Sequence, residues 1–140
     1  MLNAAPARPV PDGLFPLVDI LVVNEVEAAA LSGIDASPER AARSLLARGP
    51  EVVAVTLGEH GSLAVDRSDE MKRAPAYAVT PVDTTGAGDA FVACFAILRA
   101  SNAGLAESLR AANVAAALST RVAGAQAGLP TWEEVKASLG

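Results

Sequence analysis

The sequence predicts an α/β domain with a largely parallel sheet, and three observations support that fold class. Two short apolar runs, Asp19 to Asn24 and Glu51 to Thr56, lack the alternation of a half-exposed strand, so they suit strands buried on both faces. Helix-forming segments lie between these runs, so strands and helices alternate in the first half of the chain. Helical patterns dominate the second half.

The elements of the first half follow from local signals. Residues 1–16 hold four of the nine prolines, and we expect them to be extended or irregular. Residues 25–31 are strong helix formers that stop near Gly33. Ser37 and Pro38 suit the N-cap and first position of a second helix, which a Gly-Pro pair at residues 49–50 should end.

The second half is predicted in the same way. Residues 62–66 alternate like a strand, and residues 67–82 are expected to form a turn followed by short edge strands. A helix is predicted from Leu105 to about Val122. Pro130 and Thr131 should open a last helix whose inward side carries Trp132, Val135 and Leu139.

Composition excludes several classes of protein. The chain has 140 residues, 51% of them hydrophobic and 19% charged, which favours one globular domain over a disordered chain. The net charge is −5 and no basic patch is present, so we expect no nucleic-acid partner. We see no membrane-spanning run and no signal peptide, so a cytoplasmic protein is the default expectation. Cys94 is the single cysteine, so no internal disulfide forms.

The most informative segment is the glycine loop, Asp83 to Asp89, with the sequence DTTGAGD. Two glycines and an alanine at the mouth of a helix leave backbone N–H groups approachable, and helix starts bind anions well. Such donors stabilise a phosphoryl group in transfer, and the neighbouring Asp89 could accept a proton from an attacking hydroxyl. The loop is not a Walker A motif, because no Lys-Ser or Lys-Thr pair follows the glycines. A simple helix cap explains these letters equally well.

Longer segments add a resemblance. DTTGAGDAFVACFA at 83–96 resembles the second signature of the PfkB carbohydrate kinases. LNAAPA at 2–7 and DILVVNEVEAAAL at 19–31 resemble the ribokinase branch of that family. VAVTLGEHGSLAV at 53–65 is similar to its nucleotide-contacting strand and turn, and residues 111–130 to its closing helix and cation loop. The resemblance implies a three-layer αβα, ribokinase-like (Rossmann-like) fold with a mostly parallel sheet. Residues 1–140 would be the nucleotide-binding, C-terminal part of it.

The resemblance also implies roles in phosphoryl transfer from ATP. Asp89 would be the catalytic base, and the amides of Gly86, Ala87 and Gly88 would form the anion hole. Asn24 and Glu27, spaced as in the family's N-x-x-E motif, would organise Mg²⁺ and phosphate through water. The alternative for this pair is an N-cap with an acidic residue in the first helical turn, and the two interpretations are compatible.

Four further residues would border the nucleotide by the same resemblance. Thr56, Gly58 and Gly61 would contact it, unless they form only an ordinary strand-turn-strand. Asn113 could border the adenine pocket, with an exposed helical asparagine as the alternative. His60 lies in the same turn, and we expect it to face solvent.

A monovalent cation such as K⁺ is a further implied cofactor. Asp83 would offer a carboxylate, while Thr85 and the loop from Gly124 to Gly128 would offer carbonyls. Gly128 departs from the hydroxyl residue expected there, which weakens one candidate ligand of the cation.

The family's members are about twice this long, and their N-terminal half supplies most sugar contacts. The chain is therefore expected to be a fragment of a protein that phosphorylates a sugar hydroxymethyl group. LNAAPA and GAQ favour ribose as the acceptor over fructose, 2-keto-3-deoxygluconate or a nucleoside. The alternatives are an inactive nucleotide-binding fragment, or a half that needs a complementing chain. Expected partners are ATP, the sugar, and either a complementing N-terminal half or a second copy in a homodimer.

Overall fold

The computed structural model describes residues 1–140 and contains one five-stranded sheet in the order β1-β2-β3-β4-β5. The strands are β1 (Leu2–Asn3), β2 (Ile20–Asn24), β3 (Val52–Thr56), β4 (Ser62–Asp66) and β5 (Met71–Ala74). Strand β2 is parallel to both β1 and β3, whereas β3 and β4 are antiparallel. The predicted α/β class is confirmed, with a sheet that is mixed.

Five helices accompany the sheet: α1 (Glu25–Ser32), α2 (Pro38–Leu46), α3 (Ala87–Ala100), α4 (Leu105–Ser119) and α5 (Trp132–Leu139). Short 3₁₀ turns occupy Asp12–Leu17 and Gly58–His60. None of the helices combines the length and apolar character that crossing a membrane requires.

The chain forms two compact units. The first comprises Met1–Gly58 and Ser62–Arg73, and it contains helices α1 and α2. The second comprises Glu59–Gly61 and Ala74–Gly140, and it contains helices α3, α4 and α5.

The core of the first unit explains why β2 and β3 lack alternation. Alternate residues of these strands, Leu21 and Val23 on β2 and Val53 and Val55 on β3, join the buried cluster that includes the apolar sides of α1 and α2. The intervening residues, such as Val22, are buried as well. Both strands are thus buried on both faces, as the sequence predicts.

Local signals set the ends of α1 and α2. Gly33 ends α1 in the left-handed conformation with φ +72, where a residue without Cβ carries no steric cost. The Ser37 hydroxyl accepts a hydrogen bond from the Arg40 amide at 3.2 Å, and Pro38 begins α2, as predicted. Helix α2 ends at Leu46, before the Gly-Pro pair.

The second unit is built from helices. Phe91 and Phe95 stack on one side of α3, with ring centroids 5.8 Å apart. Val135 of α5 joins a buried cluster with residues of α4. Half-buried Cys94 packs against that cluster, and burial raises the pKa of its thiol to about 11, in line with its interpretation as a small apolar residue.

Three expectations for this half are corrected. Trp132 is 45% exposed, because it is the first residue of α5 and lies at the open end of that helix. Helix α4 ends at Ser119 rather than near Val122, since a glycine-rich loop follows. Of the short edge strands expected in residues 67–82, only β5 forms. The proline-containing stretch from 75 to 86 has no further strand.

Candidate functional site

The carboxyl ends of β2 and β3 bring together the predicted site residues of the first unit. Asn24 and Thr56 are the last residues of these parallel strands, and they pair with each other in the sheet register. Gly58 follows two residues after Thr56, with φ +56 in an exposed turn. In open α/β sheets, ligands bind beyond the carboxyl ends of the strands. This edge therefore has the placement of a ligand site.

Asn24 and Glu27 form a reciprocal capping box at the start of α1. The Asn24 side-chain oxygen accepts a hydrogen bond from the Glu27 amide at 2.8 Å, and Glu27 Oε2 accepts one from the Asn24 amide at 2.8 Å. The N-cap interpretation is confirmed. Glu27 is only 5% exposed, yet its Oε1 makes no hydrogen bond.

The donor set limits how a metal ion could bind here. No group of three or more His, Cys, Asp and Glu side chains suited to a metal ion is present in the chain. The Oε1 atom of Glu27 accepts no hydrogen bond from the protein, so it offers one carboxylate oxygen to an ion such as Mg²⁺, which keeps several of its waters and needs few protein ligands.

The glycine loop begins α3 with an open N-terminus. Gly86 is the N-cap, with φ +85, and its carbonyl accepts a hydrogen bond from the Ala90 amide at 2.9 Å. The amides of Gly86 and Gly88 make no hydrogen bond, whereas the Ala87 amide donates to the Thr84 carbonyl at 3.2 Å. Two of the three amides expected in the anion hole are thus unpaired donors at the positive end of a helix.

Asp89 lies in the first turn of α3, next to these amides. Asp89 is exposed, and its carboxylate makes no hydrogen bond or ion pair. A carboxylate without a partner, beside unpaired amide donors, can accept a proton from a hydroxyl group that approaches an anion held there.

Asp83 ties the glycine loop to the loop that follows α4. Its Oδ1 accepts a hydrogen bond from the Thr85 amide and its Oδ2 one from the Gly124 amide, both at 2.9 Å. These amides, Gly124 first, lower the pKa of Asp83 to about 2. The Val82 and Asp83 amides also donate to the carbonyl of Thr120, at 2.7 and 3.1 Å. The residues predicted to hold a cation thus include the residue that joins the two loops.

Gly128 is fixed by its surroundings. A Cβ at this position would lie 2.2 Å from the carbonyl oxygen of Ser119, at the end of α4. The departure from a hydroxyl residue therefore has a steric reason, since no side chain fits without moving the backbone.

Gly61 and Asn113 contact the same short segment. Gly61 has φ +88, and a Cβ there would lie 2.1 Å from the Ala74 carbonyl oxygen. Asn113 is 7% exposed, and its Nδ2 donates to the carbonyls of Ala74 at 3.1 Å and Pro75 at 2.9 Å. The alternative of an exposed helical asparagine is wrong. His60 is exposed, as expected.

The predicted residues fall into two groups. Those of the first unit lie at one sheet edge: Asn24, Glu27, Thr56 and Gly58. Those of the second unit lie in the glycine loop, the turn before β4 and helix α4: Asp83, Thr85, Gly86, Ala87, Gly88, Asp89, Gly61 and Asn113. Sequence reasoning missed Ala74 and Pro75 as partners of Asn113. The available signal was a polar residue within the apolar run of α4.

The sheet and its accompanying helices define an α/β protein, and the start of α3 carries unpaired backbone amides of the kind that suit an anion. Comparison with known proteins gives the family: the pfkB family carbohydrate kinases match residues 1–132. The chain therefore belongs to the pfkB family of carbohydrate kinases.

Individual relatives agree with this assignment. The ribokinase of Staphylococcus aureus (strain COL) is 39% identical over 140 residues, which cover 96% of this chain and 46% of the relative. The structure of Arabidopsis thaliana ribokinase complexed with ribose and ATP has a TM-score of 0.90 and 31% identity, covering 98% of this chain and 46% of that one. A putative ribokinase II from E. coli in complex with ATP and Mg²⁺ has a TM-score of 0.82 and 29% identity, covering 91% of this chain and 41% of that one. The predicted ribokinase-like fold is confirmed, and the chain spans about half the length of these relatives.

Proposed function

We propose that this chain is the nucleotide-binding and phosphoryl-transfer part of a carbohydrate kinase. The kinase transfers the γ-phosphoryl group of ATP to a hydroxymethyl group of a sugar, with ribose as the acceptor. The observation that carries the proposal is the glycine loop, where unpaired amides at the start of α3 lie beside the unpaired carboxylate of Asp89. The family and the ribose in the Arabidopsis relative support the choice of reaction and sugar.

The chemistry follows from these groups. The acceptor oxygen attacks the γ-phosphorus while the bond to the bridging oxygen breaks and ADP leaves. The amides of Gly86 and Gly88 stabilise the charge on the phosphoryl oxygens, and Ala87 contributes if its contact with Thr84 opens. Asp89 orients the hydroxyl group and receives its proton. We expect a reaction that consumes ATP to take place in the cytoplasm.

The sheet edge holds the nucleotide and its metal in this proposal. When bound, Mg²⁺ would supply charge neutralisation to the phosphates. Glu27, through Oε1, and Asn24 would hold its bound waters, and Thr56 and Gly58 would contact the nucleotide. Gly61 of the second unit is a further proposed nucleotide contact. The E. coli relative in complex with ATP and Mg²⁺ supports the choice of these two ligands.

We also propose a monovalent cation at the junction of the two loops. Asp83 would contribute its carboxylate, and Thr85 and the 124–128 loop would contribute carbonyls. Gly128 contributes its backbone only. The cation would hold the glycine loop in the shape that presents the amides.

The acceptor site must come largely from elsewhere, since this chain spans about half of its relatives. A complementing N-terminal half would supply it, whereas a homodimer of this chain would bring two copies of the same nucleotide-binding part. The chain on its own would then bind ATP without turnover. Because the chain spans only about half of its relatives, a second candidate function is a nucleotide-binding module without catalysis.

Complementation separates the two candidates. We would co-express the chain with the part of the S. aureus ribokinase that it does not match, and assay ADP release with and without D-ribose. The kinase proposal predicts ribose-dependent ADP release that Asp89→Asn lowers about 10²- to 10⁴-fold. Asp35→Asn is the matched control, because Asp35 is an exposed loop aspartate of the first unit without a charged or hydrogen-bonded partner. A soluble complex that binds ATP but never turns over would support the binding module instead.

A further inference from the structure

Asn113 is a polar residue in the apolar middle of α4. Its neighbours Ala112 and Val114 are buried, and Asn113 itself is 7% exposed. An amide in such surroundings is costly unless its polar atoms are hydrogen-bonded. Nδ2 meets this need by donating to two consecutive carbonyls, those of Ala74 and Pro75, which lie 39 and 38 residues earlier in the chain. The side chain therefore holds the segment that leaves β5 against α4.

The same segment meets Gly61 on another side. A Cβ on Gly61 would lie 2.1 Å from the Ala74 oxygen, 2.6 Å from the Pro75 carbonyl carbon and 2.6 Å from the Ala76 nitrogen. The Gly61 backbone thus rests directly on the peptide groups that Asn113 holds. Any displacement of residues 74–76 has to change the space in which Gly61 lies, because packed backbone atoms leave no gap to absorb it.

We propose that Asn113 is a positioning residue, which fixes the Gly61 turn through residues 74–76 and thereby sets the nucleotide affinity. The inference rests on the proposed function, because Gly61 is a nucleotide contact there. It differs from the expectation that Asn113 borders the adenine itself. Asparagine suits the role because one short amide supplies two donors, whereas aspartate and leucine supply none to these two carbonyls.

The test compares Asn113→Leu with Val114→Ala. Val114 is the next residue of α4 and belongs to the buried cluster with α5. Its truncation removes apolar packing and no hydrogen bond to residues 74–76, because its side chain has no polar atom. Two quantities are measured: the amide ¹H–¹⁵N resonances of Gly61 and Ala76 without nucleotide, and the dissociation constant of ATP with Mg²⁺ by calorimetry.

The proposal predicts that Asn113→Leu shifts or broadens the Gly61 and Ala76 resonances. It also predicts a loss of ATP affinity of about ten-fold, equivalent to one neutral hydrogen bond. Val114→Ala should lower the thermal midpoint and leave both quantities unchanged. Asn113→His keeps one N–H donor and should fall between wild type and Asn113→Leu. If Asn113→Leu does not fold, the same two quantities are measured on Asn113→His alone.

Other outcomes would overturn the inference in identifiable ways. Weaker ATP binding with unmoved Gly61 resonances would mean that Asn113 contacts the nucleotide directly. Moved resonances with unchanged affinity would mean that the Gly61 turn does not set nucleotide affinity. Failure of the folded wild type to bind ATP would refute the proposed function and the link to affinity. The resonances of Asn113→Leu would still decide whether Asn113 fixes the turn.

Discussion

Gly128 offers the sharpest test of how the loop after α4 is built. We predict that Gly128→Ala destabilises the second unit. The added Cβ would lie 2.2 Å from the Ser119 oxygen and 3.2 Å from the Val122 oxygen, where ordinary contact begins at 3.4 Å. Relief requires a backbone movement of roughly 1 Å, because both neighbours are carbonyl groups rather than flexible side chains.

The free-energy cost has two parts. Overpacking of a tight site costs about 1–3 kcal/mol. Movement of residue 128 also strains the hydrogen bond from its amide to the Gly124 carbonyl, which is 3.2 Å long, at a cost of about 1 kcal/mol. We therefore expect a loss of about 2–4 kcal/mol. Gly128→Ser should lose at least as much stability, even though it adds the hydroxyl group that the resemblance to the family leads one to expect.

The assay is urea unfolding followed by fluorescence of Trp132, the single tryptophan, which lies in the same unit. Gly104→Ala is the matched control, because Gly104 has φ −62 and no atom within 4 Å of an added Cβ. That control should lose less than about 1 kcal/mol. Equal stability of Gly128→Ala and Gly104→Ala would refute the steric argument.

Two further predictions concern Asp83 and the caps. The pKa of Asp83 is about 2 against an ordinary 3.8, so its contribution to stability is present above pH 3.8 and is lost as pH falls through 2. The difference in urea midpoint between wild type and Asp83→Asn should therefore shrink below about pH 4; a constant difference down to pH 2 would contradict this. Asn24→Ala should cost about 1 kcal/mol and weaken Mg²⁺-dependent ATP binding. Thr131→Ala removes the same kind of capping box from α5 and should cost as much without changing ATP binding, as thermal unfolding and calorimetry would show.

Much of the fold could be predicted because local signals and burial agree. The apolar runs of β2 and β3, the Ser37-Pro38 start of α2 and the glycine end of α1 are each decided by short-range chemistry. The predicted burial of Trp132 was wrong. An apolar stripe shows which side of a helix faces inward, but it does not show how far the neighbouring layer extends. The direction of the β3–β4 pairing could not be read from the strand patterns alone.

The site shows the same division. The capping box of Asn24 and Glu27 and the left-handed N-cap at Gly86 follow from residue type and spacing. The contact of Asp83 with the Gly124 amide and the hydrogen bonds of the buried Asn113 amide join segments 38 to 41 residues apart in sequence. The periodicity of a sequence gives no information on contacts between segments so far apart, so only the structure reveals these contacts.

The proposed function requires an ATP site in this chain with Asp89 as the base. Calorimetric titration of the purified chain and its Asp89→Asn variant with ATP and Mg²⁺, followed by an assay of ADP release with D-ribose, tests this most directly. We expect both proteins to bind ATP with the same affinity and neither to turn over without the complementing half. Absence of ATP binding by a folded wild-type sample would contradict it, and so would ribose-dependent turnover that survives in Asp89→Asn.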